Sequence, residues 1–293
     1  MRVAIVVPTF NRKKLLLELL ESIAALQIPE NTEVLTIVVV DGSNDGTVES
    51  LSRLSDFVHV VHGDGTWWWT KSVNCGIEKA ISLDVTHVLL MNDDNILPEN
   101  YLVTLLGDSK KLPNQSVLGS ASISISTSNT IDAAGYYKFN KILFKLYPYR
   151  KSGTMVDQKF KGVHKSCALS GRGTLIPIAV LNKVGLLDES LIQYGSDDDF
   201  TMRCVDNNIP VFISWNAHVL NYTEITSKER NLSSVTFKDL IKAYFNPFSS
   251  SSLKKEYILY SKHSNKIFAP LYCSYLFAAG ILLHIRNRFI FTA

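Results

Sequence analysis

Two stretches decide the fold: Val3-Ala-Ile-Val-Val-Pro-Thr-Phe-Asn-Arg12 and Val34-Leu-Thr-Ile-Val-Val-Val-Asp-Gly-Ser-Asn-Asp-Gly-Thr47. Each opens on a short apolar run rich in β-branched residues and stops abruptly in polar ones, as a fully buried strand does. Between them, Leu15, Leu16, Leu19, Leu20 and Ile23 fall on one helical face, so Asn11 to Leu26 reads as a helix with Asn11 as its cap. The alternation continues: a helix over Thr47 to Leu54, a strand over Phe57 to His62, a helix over Lys71 to Ser82 and a strand over Thr86 to Met91. Buried strands alternating with helices predict a mostly parallel sheet covered on both faces.

Further along, Val117 to Asp157 shows only short strand-like runs and an aromatic, basic stretch from Tyr136 to Arg150. It is expected to add mixed strands and the loops that complete a cleft, with specificity residing in 120–165. Ile176 to Val184 reads as a helix, another opens near Asp199, and Val211 to Trp215 is a further strand. After Asn246 come Pro247, Phe248 and four serines, expected as a linker between a catalytic domain (1–246) and an apolar helical extension (247–293).

The bulk numbers bound the class. A chain of 293 residues, 46% hydrophobic and 19% charged, supports one large α/β domain, with or without a smaller appendage, and not disorder. A net charge of +3 is too small to argue for nucleic acid. Cys75, Cys167, Cys204 and Cys273 are widely spaced and fit reduced thiols in a cytosolic protein. The apolar run before Pro8 is shorter than the roughly 7–15 residues of a secretory signal, so a first strand is expected there.

In a parallel sheet, ligands bind beyond the carboxyl ends of the strands. Those ends carry Pro8-Thr9-Phe10-Asn11-Arg12, Asp41-Gly42-Ser43, and Asn92-Asp93-Asp94. Each alone has an ordinary turn as its other reading; their convergence on one edge singles them out. Two adjacent carboxylates at a strand mouth repel each other, and hard oxygen ligands of this kind suit Mg²⁺ or Mn²⁺ with substrate phosphates. Gly63-Asp64-Gly65-Thr66-Trp67-Trp68-Trp69 begins like a dinucleotide fingerprint, but Trp68 stands where the third glycine is required, which argues against a nicotinamide or flavin. Three consecutive tryptophans point in different directions, so at least one of Trp67, Trp68 and Trp69 is expected to line a cleft where a ring packs on a sugar. Lys71 and Asn74 lie within reach of a diphosphate, and Arg172, in Gly171-Arg172-Gly173, within reach of a phosphate or an acceptor. In Ser196-Asp197-Asp198-Asp199, acids near a helix start gain from its dipole; a cap needs one acid rather than three, and one of them is a candidate general base.

With these residues assembled, the chain resembles family 2 glycosyltransferases of the GT-A fold over roughly residues 2–227, within them the rhamnosyl- and galactofuranosyl-transferase branch. The resemblance implies that Pro8, Thr9, Asn11, Arg12, Asp41, Asn92 and Asp93 help bind a nucleoside-diphosphate sugar. It implies Asp94 as the main metal ligand, with Asp93 at the variable middle of the D-x-D motif and His218 or Asn221 as a further ligand. It implies Asp197 as the base of an inverting displacement, supported by Asp199 and Arg203. The acceptor is then a glycan hydroxyl in bacterial surface polysaccharide synthesis. A sugar-nucleotide nucleotidyltransferase is disfavoured by the absence of glycine after the first strand, and a non-catalytic sugar-binding module has no need of Asp94 and Asp197 together. Finally, Ile267 to Ile285 is a nearly uncharged run of 19 residues with Lys262, Lys266, Arg286 and Arg288 around it. A helix lying on the cytoplasmic face of a membrane, near a lipid-linked acceptor, accounts for those basic flanks; packing on the catalytic domain or on a second copy is the other reading.

Overall fold

The structure is a computed structural model that describes residues 1–54, 57–126, 129–222 and 236–290, with side chains up to 287. Strand β1 (Arg2–Thr9) takes the middle of the sheet because its side chains are apolar toward both faces. It runs parallel to β2 (Glu33–Asp41) on one side and β4 (His87–Leu90) on the other, and β3 (Val58–Gly63) extends the parallel set beyond β2. Crossovers between parallel strands need helices, and α1 (Lys13–Ala24), α2 (Thr47–Leu51, prolonged by a 3-10 turn) and α3 (Trp68–Ser82) supply them.

Alternation along β1 divides the core in two. Val3, Ile5 and Val7 pack with Leu16, Leu19 and Leu20 of α1 and with Leu102 and Leu105 of α4 (Tyr101–Ser109). Ala4 and Val6 face Val73, Ile77 and Ala80 of α3. Helix α3 lies so close to the sheet that a Cβ on Gly76 would come 2.4 Å from Val6 Cγ1, which is why glycine stands there.

Beyond β4 the sheet becomes mixed. β11 (Thr174–Pro177) runs antiparallel to β4 and to β6 (Val117–Ser124), β6 runs parallel to β12 (Val211–Asn221), and β10 (Val163–Lys165) forms the edge antiparallel to β12. Short β5 (Asn95–Ile96) joins β12 and β7 (Thr130–Ala133) joins β6, while β8 (Tyr136–Asn140) and β9 (Lys145–Pro148) form a separate hairpin. Helices α5 (Ile178–Val184) and α6 (Ser196–Asp206) cover the face shared with α3. This mixed, mostly parallel sheet between helices is the expected GT-A architecture.

Among the described residues three α-helices follow: α7 (Phe237–Phe245), α8 (Leu253–His263) and α9 (Ala269–Ile290). The expected linker is a turn between α7 and α8, and Ser252 at its end caps α8 by accepting from the Lys255 N–H. Helix α8 docks on α6 through charge: Lys262 Nζ and His263 Nε2 lie 2.8 and 2.9 Å from Asp199 Oδ1. The apolar stretch of α9 is long enough to cross a membrane and only 11% of it is buried. The four cysteines are free thiols.

Several boundaries differ from expectation for physical reasons. Asn11 does not cap α1: it adopts a left-handed φ of 51° and its Oδ1 accepts the Asn44 N–H, while Arg12 takes the cap position. Helix α3 starts at Trp68 rather than Lys71, because the Asp41 carboxylate caps it from outside its own sequence. The expected helix from Ile176 is a strand as far as Pro177 and a helix only from Ile178, since so short a run has no periodicity that separates strand from helix. β12 continues past Trp215 to Asn221 through an irregularity between Ser214 and His218.

Candidate active site

The strand ends of β1, β2 and β4 meet along one edge and, with loop 170–172 and residues 193–197, enclose a cleft of about 420 Å³. Asp41, at the end of β2, is buried and accepts from the N–H of Gly65 through one oxygen and from those of Trp67 and Trp68 through the other, at 2.8–2.9 Å. The first N–H groups of a helix have no partner within it, and a carboxylate is the best group to satisfy them. These bonds hold Trp68 at a φ of +58°, a strained position for a bulky side chain.

That backbone sends the three rings different ways. Trp67 packs toward the core with Lys71 Nζ 5.1 Å from its ring centroid. Trp68 lines the cleft, 42% exposed, and stacks on Phe248 at 3.8 Å. Trp69 forms the floor: its indole N–H donates to Asn92 Oδ1 (3.0 Å), and a Cβ on Gly171 would come within 2.6 Å of its ring.

Asp93 and Asp94 are both buried, and one guanidinium nitrogen of Arg12 lies 3.1 and 3.3 Å from them. Thr9 Oγ1 donates to Asp93 at 2.8 Å. Burial, only partly offset by Arg12, pushes Asp93 up to about 6, and burial also raises Asp94 against the pull of Arg172 and Arg12. A carboxylate pair this poorly compensated fits a divalent cation. Among the described residues no group of three His, Cys, Asp or Glu gathers, so substrate oxygens are needed to complete such a site. Asn221 adds to the fit: β12 places it opposite Asn95, next to Asp94, and its buried Oδ1 has no hydrogen-bond partner while its Nδ2 donates to Asp132. Asp132 also holds Arg172, at 2.5 Å.

On the opposite wall, Asp197 opens α6 and lines the cleft, with one oxygen accepting the Gly171 N–H at 2.8 Å and the other the Asp198 N–H at 3.0 Å. Ser196, fully buried, bonds Thr70 Oγ1 at 2.8 Å and ties α6 to α3. Burial, and then the charge of Asp197, push Asp198 well above the usual carboxylate range. Asp199 is fully buried; burial alone would raise it, but hydrogen bonds from His263, Lys262 and Arg203 hold it low. Arg203 also donates to the carbonyls of Val184 and Leu186, which fixes α6 against α5.

The cleft thus brings together Pro8, Thr9, Arg12, Asp41, Trp68, Trp69, Asn92, Asp93, Arg172 and Asp197, with Asp94 just behind. It does not bring in Asn11, Trp67, Lys71, Asn74 or His218. Asn74 is buried and binds Leu187 O, Leu187 N–H and Glu189. His218 lies on the other face of β12 from Asn221, three residues away on a strand of period two, and stacks on Phe160 with Nε2 on Trp215 O. Asp93, expected to be the variable middle position, lines the cleft, whereas Asp94 is 1% exposed. Gln193, whose Oε1 accepts the Trp69 N–H, and Asp132 have no local signal; only tertiary contact reveals them.

Residues 4–168 match the family model described as glycosyl transferase family 2. No protein of curated function matches the chain. Among solved structures, S. aureus TarS is similar at 17% identity and a TM-score of 0.56, over 92% of this chain and 44% of that one. The TarS 1–349 structure, also at 17% identity, gives 0.53 over 98% and 89%. GalNAc-T7 with UDP, GalNAc and Mn2+ gives 0.60 at 12% identity, over 94% and 57%. The chain therefore spans less than half the length of the longer TarS protein. At these identities the likeness is one of fold.

Proposed function

This chain belongs to glycosyl transferase family 2, and from that premise we propose that it moves a sugar from a nucleoside-diphosphate donor to a hydroxyl of a glycan acceptor with inversion, in bacterial cell-surface polysaccharide synthesis. The observation that carries the reading is the placement of Asp197 and the Arg12–Asp93–Asp94 cluster on facing walls of one cleft floored by Trp69.

In this reading Thr9, Arg12 and Asp41 form the nucleotide side, where Asp41 acts by shaping the Gly65–Trp68 loop rather than by a free oxygen. Asp93, Asp94 and the free Oδ1 of Asn221 would hold Mg²⁺ or Mn²⁺, which would supply positive charge to a departing diphosphate. Arg12 then turns from the carboxylates to phosphate oxygens. Trp68 and Trp69 offer flat faces to the sugar. Asp197, oriented by the Gly171 and Asp198 N–H groups, takes the acceptor proton as the sugar C–O bond breaks; its geometry serves one essential base. Asp199 and Arg203 position α6. The protein works on the cytoplasmic side, and the exposed apolar face of α9 contacts the membrane, where a lipid-linked acceptor is presented. Residues 1–246 are the catalytic unit and 247–293 a helical extension that supports it.

The test is turnover of a panel of nucleoside-diphosphate sugars with Mn²⁺ and with chelator. Release of nucleoside diphosphate only with metal is the expected result. Formation of nucleoside triphosphate and sugar 1-phosphate when pyrophosphate is added marks a nucleotidyltransferase, and no turnover marks a binding module.

A further inference from the structure

The segment from Tyr136 to Lys165 holds eight of the chain's 30 Lys and Arg residues but one of its 27 Asp and Glu residues, Asp157, so the remainder of the chain is net acidic. Its arrangement is as unusual as its charge. The β8–β9 hairpin sets Tyr137 against Tyr147 and Tyr149 at 6.1 and 5.6 Å, and Tyr149 continues to His164 of β10 at 5.5 Å and to Trp215 at 5.6 Å. The Tyr149 hydroxyl donates to Lys165 O at 2.8 Å, which joins the hairpin to the sheet edge. Cations lie along this row of rings: Lys138 and Lys145 over Tyr147 at 5.7 and 5.2 Å, and Arg150 over Trp215 at 5.7 Å. Lys138, Lys145 and Lys165 are exposed and none forms an ion pair with a described residue.

This ribbon starts beside the candidate base. The Tyr136 N–H donates to Ser166 Oγ and its carbonyl accepts the Cys167 N–H, a few residues before Ser170 and Gly171 of the cleft wall. After burial, the charges that act most on the Tyr136 phenol are those of Asp198 and Asp197. Trp215 is buried beneath the row, whereas Tyr137, Tyr147, Tyr149 and His164 reach the surface, where rings suit the apolar faces of successive sugars and unpaired ammonium groups suit phosphate or carboxylate. A neutral glycan would leave the lysines without partners. A bilayer would be met by apolar side chains, which here gather at the hairpin turn (Ile142, Leu143) and on α9 instead of along the ring row.

We propose that the surface formed by β8, β9 and β10 is an acceptor subsite for an anionic glycan, one bearing phosphate or carboxylate groups, which it leads to Asp197. This rests on the transfer reading above and names its acceptor class. The experiment uses the full chain, fluorescein-labelled hexagalacturonate and, as neutral control, labelled maltohexaose, with binding followed by polarisation at two salt concentrations. The anionic probe should bind about tenfold tighter and lose that advantage in high salt. The triple variant Lys138→Glu, Lys145→Glu, Lys165→Glu should lose about tenfold in affinity for it, as expected for three exposed pairs, while the triple Lys→Arg variant keeps it. Melting temperature and the thermal shift with UDP and Mn²⁺ should stay as in wild type, since all three side chains are outside the cleft. Equal binding of the two probes, or full affinity in the Glu variant, overturns the proposal. So does tighter Lys138-dependent binding of phosphatidylglycerol vesicles or of oligo(dT), which would make the ribbon a membrane or nucleic-acid contact. Loss of the nucleotide shift with glycan binding intact would instead count against the donor site and leave the subsite standing.

Discussion

Asp197 is the one carboxylate of its run that lines the cleft, and two backbone N–H groups aim it there. Replacing it by Asn keeps the size and one of the two accepted N–H bonds, sets an amide NH2 against the other N–H, and removes proton acceptance, so transfer should fall about 10²–10⁴-fold with donor affinity unchanged. Asp198 does not line the cleft, so it is not placed to take that proton. A larger loss in Asp198→Asn, read as initial rate at saturating donor, would reassign the base. The acid pair on the other wall leads to a second expectation. Because Asp93 lines the cleft and shares Arg12 with Asp94, Asp93→Asn should impair transfer and Mn²⁺-induced thermal shift as severely as Asp94→Asn. Normal activity in Asp93→Asn would restore the variable-middle assignment.

Helix α6 bears the candidate base on its first turn and is held from two sides. Arg203 grips α5 from within the helix, and Lys262 and His263 reach Asp199 from α8. Asp199 is more acidic in the folded protein than in the unfolded chain, so it stabilises the fold above the unfolded value of roughly 3.9 and loses that contribution as pH falls below it. Asp199→Asn should therefore cost about 1.5–3 kcal/mol at neutral pH, where charge-assisted hydrogen bonds are lost. The difference from wild type should shrink as the pH is lowered through 4, in urea melts at a series of pH values. A pH-independent difference would mean that packing rather than charge joins α8 to α6.

Across the whole molecule, an apolar helix lies on the surface close to the cleft. Phe277 of α9 touches Tyr244 and Phe245 at 5.3 and 5.9 Å, and Phe248, three residues on, stacks over Trp68. Leu271, Tyr275 and Leu282 are each 67% exposed, and the hairpin turn adds Ile142 at 84%. If this face meets a bilayer, the full chain should float with phosphatidylglycerol vesicles, and Leu271→Glu with Leu282→Glu should return it to the soluble fraction without changing its melting temperature. Wild-type protein that stays soluble beside the vesicles, or that pairs with a second copy in sedimentation, would exclude the membrane reading. Truncation at 247 is a poor substitute for this test, because it also removes Lys262 and His263 from Asp199.

The strands and helices as far as Met91 were legible in the chain because their signals are local: apolar runs of fixed length and leucines at helical spacing make the same choice in any context. The polar strand ends were legible for a similar reason, since connectivity alone brings the ends of parallel strands to one edge. What local pattern could not supply was direction. Whether Trp67 or Trp68 faces the cleft depends on Asp41, 27 residues before Trp68, capping α3 from another element. Asn74, Lys71 and His218 had suitable chemistry and nearby positions, but packing turned each elsewhere. Asp199 read as one acid among three until α8 brought two cations to it. Hydrophobic periodicity is set by neighbours in sequence; the aim of a polar side chain is set by whichever donor or acceptor the rest of the fold leaves within about 3 Å.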